Sequence, residues 1–118
     1  MTLKLEMITI DATEAEPLAA WWAEQTGADI AETNEGWFVI LNGGGLTVPL
    51  AFQKVEDPTP GKNKVHLDLS AMDLDAEVDR LIAAGATLVE RRGDESFRWV
   101  TLADPQGNQF DVSAHPEG

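Results

Sequence analysis

The chain repeats itself, weakly but at one fixed spacing. Thr26-Gly27-Ala28-Asp29-Ile30-Ala31-Glu32 resembles Ala84-Gly85-Ala86-Thr87-Leu88-Val89-Glu90, and the two glycines stand 58 positions apart. Phe52 and Phe110 keep the same 58-residue spacing. Self-similarity of this period points to one supersecondary unit built twice. The boundary between the halves is Asp57-Pro58-Thr59-Pro60-Gly61, rich in turn formers.

Each half reads in the same order. A strand comes first, Leu3 to Ile10 and Lys64 to Ser70. A helix follows. Glu14 to Gln25 carries Pro17 in its first turn, with Leu18, Trp21 and Trp22 sharing a face. Leu74 to Ala84 carries Leu74, Val78, Leu81 and Ile82 at helical spacing, with Asp73 as its N-cap. Gly27 and Gly85 then end the helices as left-handed caps. Three strands complete each half: residues 28–32, 37–41 and 46–53, then 87–90, 98–103 and 108–113. The last is introduced by Asp104-Pro105-Gln106-Gly107-Asn108, where Pro105 fixes one backbone angle and Gly107 and Asn108 tolerate the left-handed region. Strand, helix and three strands, done twice, define an α+β chain.

Composition narrows the function. With 8 basic and 21 acidic side chains the net charge is −13, which repels phosphate backbones and argues against nucleic acid. No apolar run approaches the ~20 residues of a membrane span, and Lys4 and Glu6 interrupt the N-terminal stretch, so neither an anchor nor a secretory leader is expected. The absence of cysteine removes disulfides, thiolate metal sites and a thiol nucleophile, and fits a cytoplasmic setting.

Strand alternation sorts the polar residues. Val65, Leu67 and Leu69 are expected beneath the helix, with His66, Asp68 and Ser70 on the other face. Phe110 and Val112 pack inward while Gln109, Asp111 and Ser113 do not; Val100 and Leu102 pack inward while Trp99 and Thr101 join the polar set. By the repeat, Gln53 occupies in the first half the place of Asp111 in the second. A solvated sheet face carries mostly Lys, Glu and Arg. Imidazole, amide, carboxylate and indole together read instead as a pocket lining. An indole facing it, for which Trp99 is better placed than Trp37, would stack on a flat or cationic ligand.

Other motifs offer less. No Gly-x-Ser-x-Gly elbow exists, and Gly43-Gly44-Gly45 lacks the Lys-Ser/Thr of a phosphate loop. Asp73, Asp75, Glu77 and Asp79 suit the start of a helix, where acidic groups meet the dipole. Arg91 and Arg92 read as a solvated corner, and His115 as an exposed tail residue.

The paired modules resemble the glyoxalase/bleomycin-resistance/dioxygenase group, the vicinal oxygen chelate (VOC) superfamily, and its small glyoxalase-like bacterial members in particular. The resemblance rests on Val65-His66-Leu67-Asp68-Leu69, Asp73-Leu74-Asp75-Ala76-Glu77-Val78, Ala84-Gly85-Ala86 and the Asp104-to-Asn108 turn. It implies a single glyoxalase-like domain over 1–118, with βαβββ modules at about 1–56 and 62–115 whose eight strands form a curled, half-open mixed sheet. Metal-dependent members place one ligand on the first and one on the last strand of each module. His66 and Asp111 match two of those positions, Asp111 standing where the family usually has Glu. Gln53 matches a third, and the fourth falls near Leu5 or Glu6.

Two functions follow from the resemblance. One is a small-molecule binder with an incomplete metal set, akin to resistance proteins that sequester a bulky cationic drug, with His66, Asp68, Trp99, Thr101, Gln109, Asp111 and Gln53 contacting the ligand. The other is a lyase, isomerase or dioxygenase in which a divalent nickel, zinc, iron or manganese ion held by His66 and Asp111 polarises vicinal oxygens. His66 has a plainer reading as well, a cavity histidine hydrogen-bonded to Asp68, Asp111 or Ser70. A homodimer is expected by resemblance, and open sheet edges give it a physical reason.

Overall fold

A computed structural model of the chain describes residues 5–58, 60–61 and 65–114. Leu3, Lys4, Lys64 and His115 lie outside the described residues. The chain forms two compact units, 1–58 and 59–118. The first contains β1 (Ile8–Ala12), α1 (Ala15–Thr26), β2 (Asp29–Glu32), β3 (Phe38–Asn42) and β4 (Leu50–Lys54). The second contains β5 (Leu67–Ala71), α2 (Leu74–Ala83), β6 (Thr87–Gly93), β7 (Arg98–Ala103) and β8 (Gln109–Ala114). No described helix is long and apolar enough to cross a membrane.

The fold is mixed α+β, with one α-helix and one four-stranded sheet per unit among the described residues. Strand order is β1-β4-β3-β2 in one sheet and β5-β8-β7-β6 in the other. In each, the first strand pairs in parallel with the last, and the remaining neighbours are antiparallel. The repeat extends to its irregularities. A register shift falls between Ile30 and Glu32 in β2 and between Leu88 and Glu90 in β6, at equivalent positions. Gly27 and Gly85 both follow their helices with positive φ, 72° and 117°.

Packing follows the alternation. In the first unit α1 buries Ala15, Leu18, Ala19 and Trp22, and Val39, Leu41 and Phe52 of the sheet are buried too. In the second α2 buries Leu74, Val78 and Leu81, along with Val100, Leu102, Phe110 and Val112 of β7 and β8. Phe52 and Phe110 are thus equivalent core residues, 0% and 2% exposed. Trp22 is buried and Trp21 half-buried, their rings edge to face at 5.1 Å.

Two apolar residues depart from the sequence reading. Ile82 is 41% exposed, because the helix stripe that meets the sheet is already filled by Leu74, Val78 and Leu81. Val65 is 72% exposed, because β5 begins at Leu67 and Val65 precedes the ladder. The acidic start of α2 is also put to use. Asp73 caps the helix by accepting from the Ala76 N–H at 3.1 Å. Glu77 accepts from Arg80 Nε at 2.9 Å, and that bond holds its carboxyl below the ordinary carboxylate range.

The turn before β8 is organised by a buried carboxylate. Asp104 is 3% exposed, and its Oδ1 accepts from the backbone N–H groups of Gln106 and Asn108, each at 3.0 Å. Oδ2 accepts from Asn108 Nδ2 at 3.1 Å. Gly107 alone takes the left-handed conformation, at φ 93°; Asn108 contributes its side-chain donor instead. Asp104→Ala strands these donors and is expected to cost about 2–4 kcal/mol. Urea unfolding measures it, and an unchanged midpoint would contradict the role assigned to Asp104.

Candidate functional site

The β5–β8 ladder sets Asp68 directly beside Asp111, and Ser70 beside Ser113. The β7–β8 ladder sets Thr101 beside Asp111 and Trp99 beside Ser113. These side chains share the face of the second sheet opposite α2. His66, one residue before β5, projects to the same side. Its Nε2 lies 3.3 Å from Asp68 Oδ1 and 3.4 Å from Asp111 Oδ2.

A further chain of hydrogen bonds fixes Asp111. The Thr101 hydroxyl donates to Asp111 Oδ1 at 2.6 Å and accepts from Arg92 Nε at 2.9 Å. Thr101 is 5% exposed, so this hydroxyl is held away from competing water. One oxygen of Asp111 is thereby committed to Thr101, and the other faces His66. Arg92 Nη1 also lies 3.4 Å from Glu90 Oε1.

Two adjoining hollows open on this face. One, of about 230 Å³, is lined by His66, Arg92, Trp99, Thr101, Gln109 and Asp111. The other, of about 430 Å³, includes Asp68, Asp111, His66, Phe97 and Trp99. The Phe97 and Trp99 rings lie 5.6 Å apart at a 36° tilt and form an aromatic ledge on its wall.

Phe97 is carried by the β6–β7 hairpin, which has its own organiser. Asp94 Oδ1 accepts from the Ser96 hydroxyl at 2.6 Å, the Ser96 N–H at 2.9 Å and the Phe97 N–H at 3.2 Å. At Gly93, φ is 91° and a Cβ would sit 2.1 Å from the Phe97 carbonyl oxygen, so only glycine fits.

Sequence-derived residues therefore divide. His66, Asp68, Trp99, Thr101, Gln109 and Asp111 line the two hollows. Gln53 lies in β4 of the first unit, exposed and paired with Asp11 and Phe38. The ladder also revises the fourth ligand position. Ile10 pairs with Phe52 as Leu67 pairs with Phe110, so the equivalent of His66 is Thr9 rather than Leu5 or Glu6. Trp37 is 59% exposed, with Lys54 Nζ 5.0 Å from its ring centre.

Sequence reasoning missed Arg92 and Phe97. Counted from Leu88, strict alternation puts Arg92 on the α2 face. The extra residue Val89 reverses that facing, so Arg92 pairs with Trp99 and turns to the hollow. Arg91 takes the other face, 3.8 Å from Asp75 of α2, and Arg98 stands 3.6 Å from the same carboxylate. The doublet is thus split: Arg92 turns to the hollow, while Arg91 remains a solvated side chain, 53% exposed, on the other face. For Phe97, the available signal was an aromatic two residues before Trp99.

The donor set fits a divalent first-row ion. His66, Asp68 and Asp111 each offer one ligand atom, all within 4.8 Å of one another. One imidazole nitrogen and two carboxylate oxygens suit manganese, iron, nickel or zinc. Thr101 gives Asp111 the kind of hydrogen bond that orients a carboxylate ligand where a metal is held.

Two βαβββ units, each with a parallel pairing of first and last strands, and a polar hollow on the sheet define the glyoxalase/bleomycin resistance/dioxygenase class of fold. The chain belongs to the glyoxalase-like domain family, whose model matches residues 7–113. Its fold is similar to that of a glyoxalase/bleomycin resistance protein/dioxygenase family enzyme from Burkholderia phytofirmans PsJN, at 22% identity and TM-score 0.80, covering 95% of this chain and 98% of that one. A variant of the fosfomycin resistance protein FosX from Listeria monocytogenes, complexed with Mn(II) and a dihydroxypropylphosphonic acid, is similar at 15% identity and TM-score 0.80, covering 99% and 94%. TioX from Micromonospora sp. ML1 is similar at 15% identity and TM-score 0.68, covering 95% and 98%. No curated protein sequence shows a significant match.

Two measurements check this geometry. Thr101→Val removes the donor to Asp111 and the acceptor for Arg92, at an expected cost of about 1–3 kcal/mol, whereas Thr101→Ser stays within about 1 kcal/mol; equal losses would deny the hydroxyl its part. The bonds to Ser96 and Phe97 hold the Asp94 carboxyl below its ordinary 3.8. Its stabilising effect is therefore complete above that value and is lost as pH falls through the lower folded one. An NMR titration of Asp94 is expected to give a midpoint below 3.8; a midpoint at or above it would contradict the hairpin geometry.

Proposed function

We propose that this protein binds a small cationic, flat molecule on the polar face of its second sheet. The observation that carries the reading is the larger hollow. There the Phe97–Trp99 ledge stands beside the carboxylates of Asp68 and Asp111. An aromatic wall with adjacent acids recognises a cation through ring quadrupole and charge together. His66 and Gln109 supply the remaining polar contacts, and Thr101 holds Asp111 in place for its own. The net charge of −13 adds a long-range attraction for positive ligands. Resistance-type sequestration is the role this chemistry suits, in a cytoplasmic homodimer. The exposed apolar Leu88 and Val89 on the edge strand β6 support the dimer.

A second reading is favoured by the His66, Asp68 and Asp111 cluster. If these residues hold a divalent ion, the ion supplies Lewis-acid polarisation to a substrate with vicinal oxygens, as in a lyase, isomerase or dioxygenase. Thr101 would keep Asp111 oriented, and Gln109 and Arg92 would orient the substrate. The two readings compete for the same carboxylates, so the protein cannot use them both ways at once.

Titration with a panel of cationic aromatic compounds, followed by tryptophan emission, tests the first reading. A saturable change is expected, weakened about tenfold by Asp68→Asn through loss of one charge-assisted contact. Emission that stays flat across the panel would end it. Metal content of protein purified without chelator tests the second. One equivalent of nickel, zinc, iron or manganese, absent from His66→Ala, would put the enzyme ahead of the binder.

A further inference from the structure

The two hollows differ in charge, and the difference specifies the ligand more closely than a cation alone. This step rests on the binding reading above. His66, Trp99 and Asp111 line both hollows, so they form one continuous trough with two ends. One end holds Asp68 and the Phe97–Trp99 ledge. At the other, Arg92 and Gln109 line the wall. The Arg92 guanidinium is half-buried, its side chain 34% exposed. Its Nε is committed to Thr101 and its Nη1 faces Glu90, while Nη2 has no hydrogen-bond partner among the described residues. A fork fixed at one nitrogen and open at another is oriented for an incoming acceptor.

We infer that the ligand is bipolar: a flat ring bearing an ammonium or amidinium group at one end and a carboxylate at the other. The positive end meets Asp68 beside the ledge, the ring lies along Trp99, and the carboxylate meets Arg92. A ligand with a cation alone leaves the Arg92 fork unmatched. One with an anion alone brings like charge against Asp68 and Asp111.

Benzylamine and 4-(aminomethyl)benzoate differ only by the carboxylate, and calorimetry with both tests the inference. The benzoate is expected to bind the wild-type protein about tenfold more tightly, the size of one charge-assisted contact. In Arg92→Gln that advantage disappears, the two compounds then binding with equal affinity. An equal or lower affinity for the benzoate in wild type, or an advantage that survives Arg92→Gln, overturns the bipolar ligand and leaves the cation reading standing. If neither compound binds, the binding reading falls with it. Should Arg92→Gln also lose benzylamine, Glu90→Gln decides. It relieves Nη1 of its competing acid and is expected to raise affinity for the benzoate alone, by about threefold; no rise overturns the inference.

Discussion

Everything on the polar face depends on the parallel pairing of β5 with β8. That ladder sets two carboxylates, Asp68 and Asp111, directly opposite each other. Like charges so placed oppose the pairing. His66 Nε2 answers the conflict by lying within 3.4 Å of an oxygen of each. Thr101 answers it again from the other side, donating to the remaining oxygen of Asp111. The acid pair thus has neighbours suited to its charge, and it remains accessible, since the Asp68 side chain is 75% exposed. A pair of acids kept together at a sheet surface is suited to a cation, whether that is a metal ion or the charged end of a ligand.

Much of the fold was legible because the repeat and the alternation are consequences of backbone geometry. Gly27 and Gly85 mark helix ends by a conformation that other residues resist, and Phe52 and Phe110 mark the same core position in each sheet. The strand alternation separated Val100, Leu102, Phe110 and Val112 from Trp99, Thr101, Gln109 and Asp111 without any tertiary information. The Asp104-to-Asn108 turn was visible as a turn. That its carboxylate is buried and accepts several N–H bonds was not, since a motif gives positions and not partners.

What escaped the sequence escaped for specific reasons. Arg92 was missed because the strand was expected to end at residue 90, whereas β6 runs on to Gly93, and the shift at Val89 then decides which face Arg92 takes. Ile82 fits helical spacing, yet a stripe only as wide as one sheet contact has no room for it. The ligand position equivalent to His66 was misplaced toward Leu5 and Glu6, because a parallel ladder has no connecting turn to pin its register. Thr9, Asp11 and Gln53 occupy in the first unit the places of His66, Asp68 and Asp111 in the second. The scaffold occurs twice, with an imidazole and two carboxylates at these places in one unit and a hydroxyl, a carboxylate and an amide in the other.

The bulge at Val89 has a broader consequence. Strand β6 behaves as two short strands of opposite phase joined at one residue. Before the joint, Leu88 pairs with Leu102 on the α2 side; beyond it, Glu90 and Arg92 face the trough. The one strand therefore presents its even-numbered side chains to opposite faces on the two sides of the joint. The end toward the trough carries Glu90 and Arg92, while the end beside the helix carries Leu88 opposite Leu102. Strand β2 carries the same joint at the equivalent place.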